Sequence, residues 1–294
     1  MAPTWHAFHR RRSRIGILVL DLFARLGIYT LWRAVASTST TKEPLQTLPS
    51  VFDLHIHTIK GSPDSGLTPE QLVEESQRMG LTGMMVTEHD GWPRYDFDEF
   101  ARKQDLVMVR ALEVYTPLGH VIAMGLEGHI SGYAEDLETI RILRKEVDRV
   151  GGFMILAHPF RFLFDLPNYT QNMLFQDAKK LPQTADEAAL HPVFELVDEI
   201  EVVNGGNIEV ENRFAQEVAA VLNRWGTGGS DAHSTDGLAK GTTVFNGDVR
   251  NESDLLEALR AGDFAPVEGF HVGKPANYGR SSWLRPSMLD GWGA

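Results

Sequence analysis

From residue 51 onward, apolar runs alternate with amphipathic stretches, and the period switches between two and about 3.6 residues. Residues 51–58 read as a buried strand. Thr68, Pro69 and Gln71 supply an N-cap, an N1 proline and an N3 partner, so a helix is predicted from Pro69 to about Met79, with Gly80 as its stop. Further strands are predicted over 83–89 and 106–115, and, after a turn around Pro117-Leu118-Gly119, over 120–124. Leu137, Ile140, Leu143, Val147 and Val150 recur at three- and four-residue steps, which predicts an amphipathic helix over 134–150. Strands over 153–156 and 199–203, helices over 96–103, 209–222 and 252–261, and a short strand with its loop over 226–233 complete the series. Residues 160–185 carry aromatics and two prolines without a clean period and read as a long connection.

Repeated strand–helix units predict an α/β fold around a mainly parallel sheet, open or closed into a barrel. No glycine-rich phosphate loop follows the first strand, which disfavours a dinucleotide-binding doubly wound sheet. Histidines at strand ends favour the distorted barrel. The first fifty residues differ. Arg10-Arg11-Arg12-Ser13-Arg14 leads into an apolar stretch, 15–31, that Asp21 and Arg25 interrupt; it is too short and too charged for a membrane span or a signal peptide. It reads either as an amphipathic helix on the domain or a membrane surface, or as a poorly ordered extension. The expected division is a basic extension and linker over 1–50, one domain over 51–265 and a tail without regular structure over 266–294.

Charge sharpens this division. Residues 1–42 hold seven basic side chains against Asp21, or +6, whereas the remainder holds 21 basic and 39 acidic residues, or −18. So acidic a domain is a poor host for a long polynucleotide, while a small anion held by a few local cations is compatible with it. There is no cysteine, so any metal is held by nitrogen and oxygen; the absence also fits a reducing, cytoplasmic setting.

His55 and His57 sit two apart on the opening strand and project from the same face, half of a metal site. His89, His120, His158 and His233 fall at other strand ends or starts, with Asp64, Glu113 and Asp231 beside them. Six histidines at equivalent places are poorly explained as separate structural residues. Nine oxygen and nitrogen donors exceed what one metal takes, so two or three divalent ions are expected, with Zn, Mn or Fe suiting the donors. Arg161, two residues past Pro159, is placed to grip a phosphate. Lys60 and Lys240 read as solvated lysines, Asn204 as a supporting or substrate contact, and His6, His9, His129, His191 and His271 as structural or exposed.

These motifs resemble those of the PHP (polymerase and histidinol phosphatase) domain family of metal-dependent phosphoesterases. Asp53-Leu54-His55-Ile56-His57-Thr58 with Asp64–Glu70, then Val86-Thr87-Glu88-His89-Asp90, Ala157-His158-Pro159 and Gly229-Ser230-Asp231-Ala232-His233 occur in the family's order. Glu113 and Gly119-His120 match its stand-alone phosphatase branch. The resemblance implies a distorted seven-stranded (β/α)7 barrel with three metals. One would be held by His55, His57 and Asp231, with Glu113 bridging to a second on His120 and His158, and a third on Asp64, His89 and His233. It implies hydrolysis of a small phosphorylated molecule, a nucleotide or short oligonucleotide, by a metal-bridging hydroxide; the leaving alkoxide needs a proton or a cation, for which the third metal or His233 would serve. Histidinol-phosphatase-like activity, amidohydrolase-type C–N hydrolysis and a non-catalytic metal-binding domain are the alternatives. Glu88 departs from the family's usual aspartate, and its longer side chain is expected to shift an orienting contact.

Overall fold

The apolar run at residue 51 forms β1 (Ser50–Ile56), buried along its whole length. The computed structural model describes residues 49–128, 137–164 and 171–277, so the readings of 1–48 and of His6, His9 and His129 fall outside it. Helix α1 (Pro69–Met79) starts at the predicted capping box, with Thr68 Oγ1 accepting from the Gln71 N–H and Gln71 reaching back to Thr68. It ends on Gly80 in the left-handed conformation. There follow β2 (Gly83–Glu88), α2 (Arg94–Ala101), the hairpin β3 (Val107–Thr116) and β4 (Gly119–Met124), then α3 (Leu137–Arg149) and β5 (Met154–Leu156). The second half holds α4 (Ala185–Ala189), β6 (Glu199–Asn204), α5 (Glu209–Val221), β7 (Thr227–Gly229), β8 (Gly241–Phe245), α6 (Glu252–Ala261), β9 (Phe264–Glu268) and β10 (Ala276–Asn277). Among the described residues no helix is long and apolar enough to cross a membrane.

The strands form one sheet in the order β10-β9-β8-β1-β2-β3-β4-β5-β6-β7. Pairing is parallel along β1-β2-β3 and β5-β6-β7, whereas β4 runs antiparallel to both its neighbours. The sheet is barrel-like, but among the described residues it has ten strands rather than seven (β/α) units. The difference lies in β8, β9 and β10, an antiparallel extension on β1; residues 241–245 were given no element and those from 266 were read as a tail. Their runs are two to five residues long, too short to show a period.

The far edge curls back onto β1. Past β7, the Asp231 N–H donates to the His55 carbonyl at 2.7 Å and the His57 N–H donates to the Ala232 carbonyl at 3.0 Å. Gly229 allows this approach, since a Cβ there would lie 2.4 Å from His55 Cβ. The Asp53 carboxylate fastens the closure. It is fully buried and accepts the N–H groups of Ser230 at 2.8 Å, Ala239 at 3.0 Å and His55 at 3.2 Å. Burial nonetheless pushes its pKa up to about 6.

Phe52, Leu54, Met85, Ala111, Ile122 and Ile155 form one buried cluster, joined by Leu255 and Leu259 of α6. The register of β1 on β2 shifts between Asp53 and Ile56, a bulge that re-aims the strand end. On β3, Glu113 follows Ala111 by two, and on β4, His120 precedes Ile122 by two. Each donor therefore extends a row of that apolar cluster.

Replacing Asp53 by alanine leaves three buried N–H donors without their acceptor. The expected cost is about 2–4 kcal/mol in urea denaturation. A loss below about 0.5 kcal/mol would show that the closure does not depend on this carboxylate.

Candidate metal centre

Glu113 is buried at the C-terminal half of β3, and histidines from four other segments reach its two oxygens. Oε1 lies 2.8 Å from His120 Nδ1, 3.1 Å from His158 Nε2 and 3.3 Å from His55 Nε2. Oε2 lies 3.2 Å from both His57 Nε2 and His89 Nδ1. Asp231 Oδ1 closes the other side, 3.4 Å from His55 Nε2 and 3.3 Å from His57 Nε2. Asp64 Oδ2 lies 3.4 Å from His89 Nε2 and 3.3 Å from His233 Nε2. All nine donors expected from the sequence are thus in one place. They fall into three groups able to hold a metal: His55, His57, Glu113 and Asp231; Glu113, His120 and His158; and His57, His89 and His233, with Asp64 beside the last.

Hydrogen bonds behind the histidines set which nitrogen faces inward. His55 Nδ1 lies 3.1 Å from Glu201 Oε1, an acceptor, so Nδ1 carries the hydrogen and Nε2 presents a lone pair. His233 Nδ1 donates in the same way to the Asp231 carbonyl at 2.9 Å. Ser62 Oγ donates to Glu88 at 2.6 Å, which leaves it to accept from His57 Nδ1 at 3.0 Å. Glu88 therefore orients His57 through Ser62, a relay its length permits. The consequence is a close approach of His55 Nε2 and His57 Nε2, 3.1 Å apart, with both lone pairs directed inward. Only a proton or a cation reconciles them. A borderline divalent ion fits this all-nitrogen and -oxygen donor set.

Electrostatics agree. Burial opposes a charge on His57, but hydrogen bonds to Asp231 and Glu113 outweigh it and push its pKa up to about 9. His55 is also raised: its burial is outweighed by the charges of Asp231, Glu201 and Glu113. Burial would raise Glu113 and Asp231, yet the surrounding histidines, His55 foremost, hold both well below the usual carboxylate range. His158 is lowered by burial and by the Arg161 charge. Two donors sit in left-handed backbone that non-glycine residues rarely adopt, His158 at φ 30° and Asp231 at φ 56°. The neighbouring hydrogen bonds stabilise these conformations.

Arg161 touches the cluster from the side. Its Nη2 donates to Asp231 at 2.7 Å and Asn204 at 2.6 Å, and its Nε to Asn207 at 2.9 Å. Lys60 lies over the Trp92 ring at 5.8 Å. His191 caps a 3-10 turn through the Val193 N–H, and His271 lies in another such turn; neither is in a donor group. Glu201 and Ser62 escaped the sequence reading. Besides His55, Glu201 accepts the His158 N–H at 2.9 Å and Asn204 Nδ2 at 2.8 Å. Its signal was an acid alternating with Ile200 and Val202 on a strand whose every residue is buried.

A family model described as PHP-associated, PHP_C, matches residues 209–264. A two-domain protein from Bacteroides vulgatus ATCC 8482, whose crystal structure is described as containing a predicted PHP-like metal-dependent phosphoesterase, superposes with TM-score 0.54 at 21% identity. The match covers 75% of this chain and 65% of that one, so the chain spans just under two thirds of that relative. PsfC from Pseudomonas syringae PB-5123 superposes with TM-score 0.50 at 17% identity, covering 76% of this chain and 93% of its own. No curated protein matches the sequence. At these identities the superpositions speak for the fold. The family-model match is confined to residues 209–264, the stretch from α5 to the start of β9.

The raised His57 yields a pH test. With metal chelated, its stabilising contribution is complete below the unfolded value of 6.5 and disappears as pH rises through about 9, up to roughly 3 kcal/mol. A metal replaces that proton, so the rise in Tm on adding Zn or Mn should grow between pH 6.5 and 9. A metal-induced rise that shrinks over this range would contradict the site. Glu201→Gln, which weakens the hold on His55 Nδ1, should weaken metal binding about 10- to 100-fold in competition with a chelator.

Proposed function

We propose that the chain is a metal-dependent phosphoesterase of the family's stand-alone branch, hydrolysing a phosphate monoester or diester of a small molecule, the class that includes nucleotides and short oligonucleotides. The observation that carries this reading is the pairing of a nine-donor cluster with a fixed guanidinium at its edge. Divalent ions held by these donors supply Lewis acidity toward phosphoryl oxygens and lower the pKa of water towards neutrality.

The residues divide the remaining work. Glu113 touches all three donor sets or their members, so it holds their spacing fixed. Arg161, with Nη2 tied to Asn204 and Asp231 and Nε tied to Asn207, is pre-oriented to meet an anionic phosphoryl group beside His158. Removing it also takes away a partner of Asp231, so metal content must be followed alongside activity. His233 is assigned the proton for the leaving alkoxide. Its side chain is 31% exposed, the most of the six imidazoles, and with Nδ1 held by the Asp231 carbonyl its Nε2 would serve this role only while it is not occupied as a metal donor. The acidic surroundings support a compact ester over a long nucleic acid.

Full-length protein reconstituted with Mn or Zn should cleave phosphate esters, and His55→Ala should lose both activity and metal. Arg161→Ala should keep its metal and lose about 10²-fold in kcat/KM. Failure of the wild type to cleave any phosphomonoester or diester sinks the reading; an Arg161→Ala enzyme of wild-type activity removes only the clamp.

A further inference from the structure

Beside the donor group of Glu113, His120 and His158 lies a cavity of about 170 Å³. Its walls are Leu118, Phe162, Met173 and Leu174, and His120, His158 and Arg161 form its polar end. On the strength of the phosphoesterase reading, we propose that this cavity seats the leaving group and selects esters whose alcohol carries one compact, flat apolar ring next to the phosphate, with Phe162 as the specificity-determining residue.

Size points to a single ring. A cavity of about 150 Å³ lined by apolar side chains takes up benzene, whereas drug-sized ligands occupy roughly 300 Å³ or more. A purine nucleoside therefore does not fit within it. Adjacency sets the distance to the phosphate. His120 and His158 line the cavity and belong to the donor cluster at once, so a phosphate held at that cluster would have its ester group beside the cavity.

Polarity disfavours a sugar. The cavity's buried amide, Asn172, is already committed: Nδ2 donates to the carbonyls of Pro159 and Arg161, both at 2.9 Å, and Oδ1 accepts the N–H groups of Leu174 and Phe175. Gln171 donates to the Gln176 carbonyl. Among the described residues the other walls are apolar, so hydroxyls lying against them, away from the polar end, would give up water without replacement partners. Phe162 points to the same conclusion. It holds a left-handed backbone, φ 64°, that a bulky residue rarely adopts, and its N–H is tied to Glu211 of α5. Phe162 is 39% exposed and lines the cavity, where an aromatic guest gains a stacking partner.

The test uses phenylphosphonate and methylphosphonate, which cannot be hydrolysed as esters, titrated calorimetrically into metal-loaded full-length protein. The wild type should bind the phenyl compound about tenfold tighter or more. Phe162→Ala should cut that preference to about two- or threefold, and Met173→Trp, which fills the cavity, should abolish it. Equal metal content in all three proteins shows that the variants fold. Equal affinities in the wild type, or a preference unchanged in both variants, overturns the cavity assignment and leaves the phosphoesterase reading standing. If the metal-loaded wild type binds neither phosphonate, the phosphoesterase reading falls with it.

Discussion

A buried carboxylate is tolerable only among positive charges or hydrogen-bond donors, and Glu113 meets this condition with nitrogens of five histidines at 2.8–3.3 Å. Much of the structure follows from that requirement. His55 and His57 come from the end of β1, His89 from the residue after β2, His120 from the start of β4 and His158 from just past β5. Five strand ends must therefore converge to within a few ångströms. A sheet that curls does this, and the contact between β1 and the segment after β7, fastened by Asp53, fixes the curl.

The same constraint accounts for the local irregularities. The bulge in β1 and the positive φ at His158 and Asp231 all occur at or beside donors. Each is a departure from regular backbone that aims a side chain, and each is held by neighbouring hydrogen bonds such as that from the His158 N–H to Glu201. Beneath the donors the interior is apolar and closed by α6; above them lies the half-exposed rim of Asp64 and His233.

Much of this was legible from residues alone. The i, i+2 pair of His55 and His57, the capping box at Thr68 and the period of α3 are local signals, and the structure places each as expected. The extension β8–β10 was not legible, because strands of two to five residues carry no period and owe their form to pairing in series, β8 on β1, β9 on β8 and β10 on β9. Glu201 and Ser62 were hidden for another reason. Their roles exist only through contacts across more than twenty residues, or, for Ser62, through a relay to Glu88. The cavity by His120 is likewise built from residues far apart in the chain, so no spacing could announce it.

Metal stoichiometry tests the central claim most directly. Full-length protein reconstituted with divalent metal, freed of excess and measured by elemental analysis, should hold two or three ions per chain, and Glu113→Ala should hold no more than one. A wild type that binds no metal, or a Glu113→Ala protein that keeps the full complement, would contradict a centre organised around this carboxylate.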